Sequence, residues 1–415
     1  MNSRERVACA LARGTPDRIP VMEMAIDWKV MSGLGYRSYF DMIEGLDLDA
    51  VPVDQVLYLL GTRRYLRRIV KTYRDEWGVT RRFMEDLLPI PVRHPIRSER
   101  DLSGLRPPDP RKNPILRAIS IVRKRFPDRA VVMTTRADFA ASWYLCGMEN
   151  LLVSYATRPE FAVHLASVVS DYAAELCTLA VAKGADIIVL TDDYAHKTGP
   201  IMSPAHFRAF VLPALRKVVA RVRELGAYCI KHTDGDIRQI IEPIVETGIH
   251  AIGPLEPGAG MNLVEVKRRF GDRLCVVGNV DVDLLSRGSV DEVKRVVAAL
   301  IREVSPGGGH ILSSGNTISS SVRPENYRAM LETARASGVY RAGDCPDLRA
   351  HADRHICSYP SAGLRRMYIL VRNPVGIFAR FDYCARRLYT RDRWSRLRSR
   401  KDDLVARFHF RKHHR

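Results

Sequence analysis

The sequence predicts an α/β fold, a (β/α)8 TIM barrel, on three observations. Short apolar segments rich in β-branched residues recur eight times before residue 317. They are nearly continuous in hydrophobicity, as parallel strands covered on both faces must be. Helical patterns alternate with them, which is the βα repeat of a barrel. The competing doubly wound sheet would place a GxGxxG loop after its first strand, and none stands there.

The strands are expected near 19–25, 48–54, 130–135, 186–193, 227–232, 249–256, 274–281 and 310–316. "SPAHFRAFVLPALRKVVARVRELGA" opens on Ser203 as a cap with Pro204 at the first helical position, and Gly226 closes it. "SVDEVKRVVAALIREV" and "RPENYRAMLETARASG" carry the same apolar stripe with defined ends. "YRDEWGVTRRF", residues 73–83, reads as a hairpin inserted between the second and third strands. The Pro-rich "SGLRPPDPRKNP" after it reads as a surface linker. Barrel residues fill 1–340, and 341–415 form a basic, mostly helical C-terminal extension.

The charge is uneven. Of the net +19, residues 341–415 hold 19 basic against 7 acidic side chains, a net of +12, which leaves +7 on the first 340. The excess therefore speaks for the extension and not for the barrel's chemistry. Its mixture of Arg with aromatic and aliphatic residues suits a docked helical segment with a solvated basic face. An anionic membrane surface or a partner is the other expectation, and nucleic acid is disfavoured. Cys345, His351, His355 and Cys357 lie close in sequence, but not at a standard zinc spacing. The eight cysteines include no CxxC pair and read as thiols of a reducing compartment. Charges occupy the N-terminus where a signal peptide would be apolar, so a cytoplasmic location is expected.

In this fold the site gathers at the C-terminal ends of the strands. The first strand delivers Glu23 and Asp27, the third Arg136 and Asp138, and the fourth Asp192, Asp193, Tyr194 and His196. The fifth gives His232, Asp234 and Asp236, and the sixth Glu256. The last two give Asn279, Asp281, Ser314 and Asn316. Together these form an acidic ring with one or two histidines, whose acids must be protonated, paired or metal-bound at close range. Within "KHTDGDI", His232 and Asp234 share one face by the strand period of two. They can start a Zn²⁺ site that Glu256 or Asn316 completes, or the segment can be a turn with Asp236 as a helix cap. In "TDDYAHKTG", adjacent acids cannot both face the axis, and Asp193 is the preferred site residue.

Several segments carry a resemblance: "RERVACALARGTPDRIPV", "DEWGV", "TDDYAHKTGPIMSPAHFRAFVLPALRKVV", "HTDGDIRQIIEPIVETGIHAIGPLEP", "VVGNVDVDLLSRGSVDEVK" and "PGGGHILSSGNTISSSVRPENYRAM". In order they resemble the uroporphyrinogen decarboxylase (URO-D) family in its broad sense, which also holds corrinoid and coenzyme M methyltransferases. The resemblance covers about residues 3–338 and implies the barrel fold. It lies closer to the methyltransferase-like branch than to true decarboxylases. Where those carry an "RQAGR" segment, this chain reads "EMAIDWKVMSG", with Lys29 and no Arg pair. The family's zinc methyltransferases use His-x-Cys after the fifth strand and another Cys after the eighth. Here His232 matches the His, Asp234 stands at the first Cys and Asn316 lies near the second. Oxygen in place of thiolate makes a harder, weaker metal site.

The reading that follows is methyl transfer between a small methylated compound or a corrinoid and a thiol-type acceptor. His232, Asp193 and Asp234 would be catalytic, and His232, Asp234, Glu256 and Asn316 would hold Zn²⁺. Arg136, Glu23, Asp27, Tyr194 and Asp281 would bind substrate, and a corrinoid protein would be a partner. The alternatives are decarboxylation of a porphyrinogen or other polycarboxylate, with Arg136 and Lys29 binding carboxylate, and a non-catalytic tetrapyrrole-binding barrel.

Overall fold

The computed structural model describes residues 1–54, 71–83 and 89–340. The expected extension at 341–415, with its Cys and His group, lies outside the described residues.

Among the described residues the strands are β1 (Ala50–Pro52), β2 (Thr72–Arg74), β3 (Thr80–Arg82), β4 (Ile90–Arg93), β5 (Ala130–Thr135) and β6 (Ile187–Thr191). They continue as β7 (Ala195–His196), β8 (Gly199–Pro200), β9 (Tyr228–Thr233), β10 (Ala251–Pro254), β11 (Cys275–Val277) and β12 (His310–Ile311). Seven of them pair in parallel in the order β1-β5-β6-β9-β10-β11-β12. The eighth place is taken by residues 20–22. Asp49 N donates to Val21 O at 3.0 Å on one side, and on the other Met22 N donates to Leu312 O at 3.1 Å and Leu312 N to Pro20 O at 2.9 Å. The expected first strand is thus reduced to a bridge that closes the ring. Pro20 has no N–H to extend the ladder.

Side-chain alternation divides the core in two. Ala50, Ala130, Val132, Ile187, Val189, Ile230, Ala251, Cys275, Val277 and Ile311 fill the barrel interior. Val7, Ala10 and Leu11 of the helix Ser3–Leu11 join this cluster and plug the end where the strands begin. The opposite end is left for polar side chains. Residues of the other parity, such as Ile188, Leu190, Cys229 and Ile252, pack outward on the helices.

The helix Pro159–Ala182 is long and apolar enough to meet the length and composition of a membrane span. Its buried Phe161, Leu165, Val169, Ala173, Leu176 and Ala180 recur at helical spacing, as the core face of an outer-layer helix does. Ser203 caps the next helical run as expected, accepting from His206 N at 3.1 Å. Its second turn is a π-helix over Phe207–Val211, which sequence periodicity does not reveal. Ser289 and Glu292 form a capping box on Val290–Val304. The insertion is three-stranded, β2-β3-β4, one strand more than the expected hairpin. Asp75 fixes its turn by accepting from Trp77 N and Val79 N at 3.1 and 2.9 Å, and Trp77 packs edge-on against Tyr172 at 4.9 Å.

Candidate active site at the barrel mouth

Parity decides which polar side chains face the axis. Ile230 lies inside the barrel, so His232 and Asp234 continue its row; Ile187 and Val189 lie inside, so Thr191 and Asp193 continue theirs. Asp193, His232 and Asp234 therefore meet, each offering a ligand atom within 4.8 Å of the others. His232 Nε2 lies 3.5 Å from Asp234 Oδ1 and 4.0 Å from Asp193 Oδ1. Asp234 N donates to Asp193 Oδ1 at 3.1 Å, which ties the acid of one strand end to the backbone of the next. The side chain of Asp193 is 53% exposed and that of His232 15%, so the group opens to solvent through Asp193.

Asp234 is the member with an unmet oxygen. Its Oδ2 accepts from Asn316 Nδ2 at 2.9 Å, while Oδ1 is buried without a hydrogen-bond partner. Burial raises its carboxyl pKa; His232 pulls it down, Asp193 and Glu256 push it up, and the Asn316 hydrogen bond lowers it. An orphaned carboxylate oxygen facing an imidazole 3.5 Å away, with a second carboxylate beside it, fits a divalent cation. The donors are one nitrogen and oxygens. Of the described cysteines, Cys146, Cys177, Cys229 and Cys275 are buried and Cys9 is half-buried, and none belongs to this group. The set therefore suits Zn²⁺ or a similar borderline ion held by N and O, without thiolate character.

Asn316 and Glu256, expected as ligands, stand one step back. Asn316 directs its amide nitrogen at Asp234, and Thr317 N donates to its carbonyl at 2.6 Å. Glu256 Oε2 accepts from Gly235 N at 3.1 Å, so it braces the turn after Asp234. Gly235 has φ +82°, and an added Cβ would lie 2.5 Å from Ala195 C and 2.7 Å from His196 O. Both are backbone atoms that cannot step aside. Gly235→Ala is expected to cost about 2–4 kcal/mol, through positive φ plus the clash, and to part β9 from the β7–β8 hairpin. Chemical denaturation measures it; a loss under 0.5 kcal/mol contradicts the geometry. Asp236, expected as a helix cap, accepts from Arg238 N at 3.1 Å and pairs with the Arg238 guanidinium. It closes a turn, and the helix itself is Ile241–Val245.

Other expected substrate residues are placed elsewhere. Glu23 is 2% exposed, with its oxygens against Ser314 N at 3.0 Å and Ser314 Oγ at 2.6 Å. It faces outward from the barrel, next in sequence to the inward Met22, and clasps the closing segment to the last strand. Burial pushes its carboxyl up to about 8. A protonated Glu23 can donate to Ser314 Oγ, which in turn donates to Asn316 O. A carboxyl raised on folding stabilises fully below its unfolded pKa, and that stability drains as pH climbs to the folded value. The wild type should therefore lose on the order of 3 kcal/mol relative to Glu23→Gln between pH 4.5 and 8. Parallel denaturation curves for the two proteins across that window would refute the assignment.

Asp27 is 4% exposed and caps the helix Trp28–Gly33 by accepting from Lys29 N at 2.8 Å. Asp281 caps Val282–Arg287 through Asp283 N at 2.7 Å. Tyr194 is buried, its hydroxyl donating to Asp138 at 2.8 Å. Asp27 and Asp281 thus each spend one carboxylate oxygen on a helix start, and the Tyr194 hydroxyl is bound to Asp138. Arg136 lies over the Tyr144 ring at 4.8 Å, and its charge lowers the carboxyl of Asp54.

Sequence reading missed two residues. Asp54, two residues past β1, continues the inward row begun by Ala50 and accepts from Thr134 N at 2.8 Å, and burial raises its carboxyl pKa. An acid at inward parity just past a strand was the available signal. Lys231 is the other. It interrupts the apolar "AYCIK" run at outward parity, where both faces of a strand are covered.

The sequence profile described as Uroporphyrinogen decarboxylase (URO-D) matches residues 72–337, well over half of the chain. The chain belongs to the URO-D family. A methylated-thiol–coenzyme M methyltransferase of Methanosarcina mazei is 26% identical over 239 residues, 56% of this URO-D-family chain and 61% of the relative. The uroporphyrinogen decarboxylase of Chlorobaculum tepidum is 25% identical over 264 residues, 59% of this chain and 71% of that enzyme. A solved methyltransferase from Methanosarcina mazei shares the fold with a TM-score of 0.66 at 20% identity, covering 81% of this chain and 99% of that one. Two differently named activities thus stand at equal distance in sequence, and the mouth has to discriminate between them.

Proposed function

We propose that this URO-D-family chain is an enzyme that moves a methyl group from a small methylated compound, or a methyl-corrinoid, to a thiol-type acceptor. The observation that carries the reading is the convergence of Asp193 and Asp234 on His232, with Asp234 Oδ1 lacking a partner. Such a mouth repels a polycarboxylate and attracts a cation. His232 Nε2 and Asp234 Oδ1 are the fixed donors, and Asn316 holds the second Asp234 oxygen so that the first points at the imidazole. A divalent cation bound there would supply Lewis acidity that lowers the pKa of an acceptor thiol. Asp193, the exposed member, would take the thiol proton. The thiol sulfur gains the methyl carbon as the bond from carbon to its former carrier breaks, and the carrier leaves with that electron pair. The methyltransferase name of the Methanosarcina relative supports this reading.

Decarboxylation of a porphyrinogen is the second reading, favoured by the Chlorobaculum relative and by Arg136 beside Asp54. One pair of assays separates the two. Methylcobalamin with 2-mercaptoethanesulfonate should be demethylated by the wild type and at least about 100-fold more slowly by His232→Ala. Release of CO₂ from uroporphyrinogen III without demethylation would replace the proposal by the second reading.

A further inference from the structure

Lys231 is 0% exposed, on the strand residue between inward Ile230 and His232. Its Nζ donates to Asp192 O at 2.7 Å, His232 O at 2.9 Å and Leu190 O at 3.2 Å, and lies 4.0 Å from the Tyr194 ring centroid. An ammonium has three protons, and each has a carbonyl. Asp192, also 0% exposed, accepts from Ala137 N and Ala140 N at 2.8 Å each, and Asp138 is bound by the Tyr194 hydroxyl. Lys231, Asp192, Asp138 and Tyr194 thus form a buried polar knot on the outer side of the sheet, directly behind Asp193 and His232.

We propose that Lys231 is a positioning residue of the active site, its ammonium binding the ends of β6 and β9 from behind. The pairing of these strands ends at Thr191 with His232. Beyond it, the carbonyls of Asp192 and His232 are gathered by the ammonium, and each belongs to the peptide beside a site side chain. Burying a cation is costly without nearby anions and filled hydrogen bonds, and a hydrophobic side chain would pack the wall more simply. The charge is kept where it converges on the two carbonyls that set the facing of Asp193 and His232. The device is the outer support that functional groups need to hold their geometry.

The proposal rests on Asp193, His232 and Asp234 being the site, and the test separates the two claims. Co²⁺ is titrated into wild type, Lys231→Met and Asn326→Ala. Asn326 is a buried donor to Leu285 O and Gly288 O, remote from the mouth, and controls for general loosening. Lys231→Met should bind Co²⁺ at least about tenfold more weakly, with an altered visible spectrum, while Asn326→Ala stays within about twofold of wild type. Wild-type affinity and spectrum in folded Lys231→Met would overturn the proposal. Should Lys231→Met not fold, Lys231→Leu, which likewise removes every donor, is judged by the same criterion. If wild type itself takes up no Co²⁺, the cation reading fails, and the His232 ring proton resonances decide for Lys231. They move in Lys231→Met but not in Asn326→Ala if it positions the site; unmoved resonances overturn it.

Discussion

Asp234→Asn should raise stability and remove activity together. Burial and the neighbouring Asp193 and Glu256 disfavour the Asp234 charge, and only His232 and Asn316 support it. An amide of the same shape is spared that repulsion, for a gain of about 1 kcal/mol, or about 1–2 °C in Tm for a body of this size. The same change removes the free carboxylate oxygen facing His232, so cation affinity and methyl transfer should fall at least about 100-fold. Thermal melts and the methylcobalamin assay measure the two effects. A purely structural Asp234 would give the reverse pattern, a lower Tm with activity kept.

Asp192→Ala should be the most damaging single change to stability described here. Its carboxylate is 0% exposed and accepts from the amides of Ala137, Asp138 and Ala140 around the start of the helix Phe139–Cys146; burial lowers the Lys231 pKa, and Asp192 leads the charges that oppose this. Truncation leaves those amides and a buried ammonium without their anion, at a cost of about 3–5 kcal/mol. Asp138→Asn is the informative contrast. Burial, and after it the Asp192 charge, pushes the Asp138 carboxyl pKa up, so a neutral side chain is better tolerated there than at Asp192. An amide there should cost under about 1 kcal/mol. Equal losses for the two variants in urea denaturation would contradict the division of roles.

The barrel was legible because its signals are local. β5 occupies the expected 130–135, and the other strands of the parallel sheet lie inside their expected segments or within one residue of them. Ser203, Pro204 and Ser289 start helices where their chemistry requires it. Parity within "KHTDGDI" and "TDDY" was enough to bring His232, Asp234 and Asp193 to one side. What escaped was whatever depends on the partner across the fold. Glu23 read as a mouth acid because nothing local reveals Ser314 waiting 291 residues away. Asp27 and Asp281 read as ligand groups although their nearest amides, two residues on, claim them as caps. Lys231 escaped because a charge inside an apolar strand gains its meaning only from the carbonyls it meets.

Metal analysis of the chain purified without chelator, beside His232→Ala, tests the central claim most directly. The site predicts about one divalent ion per wild-type chain and close to none in the variant. No stoichiometric ion in the wild type, or equal content in both proteins, would contradict it and leave His232 and Asp193 as proton-handling groups alone.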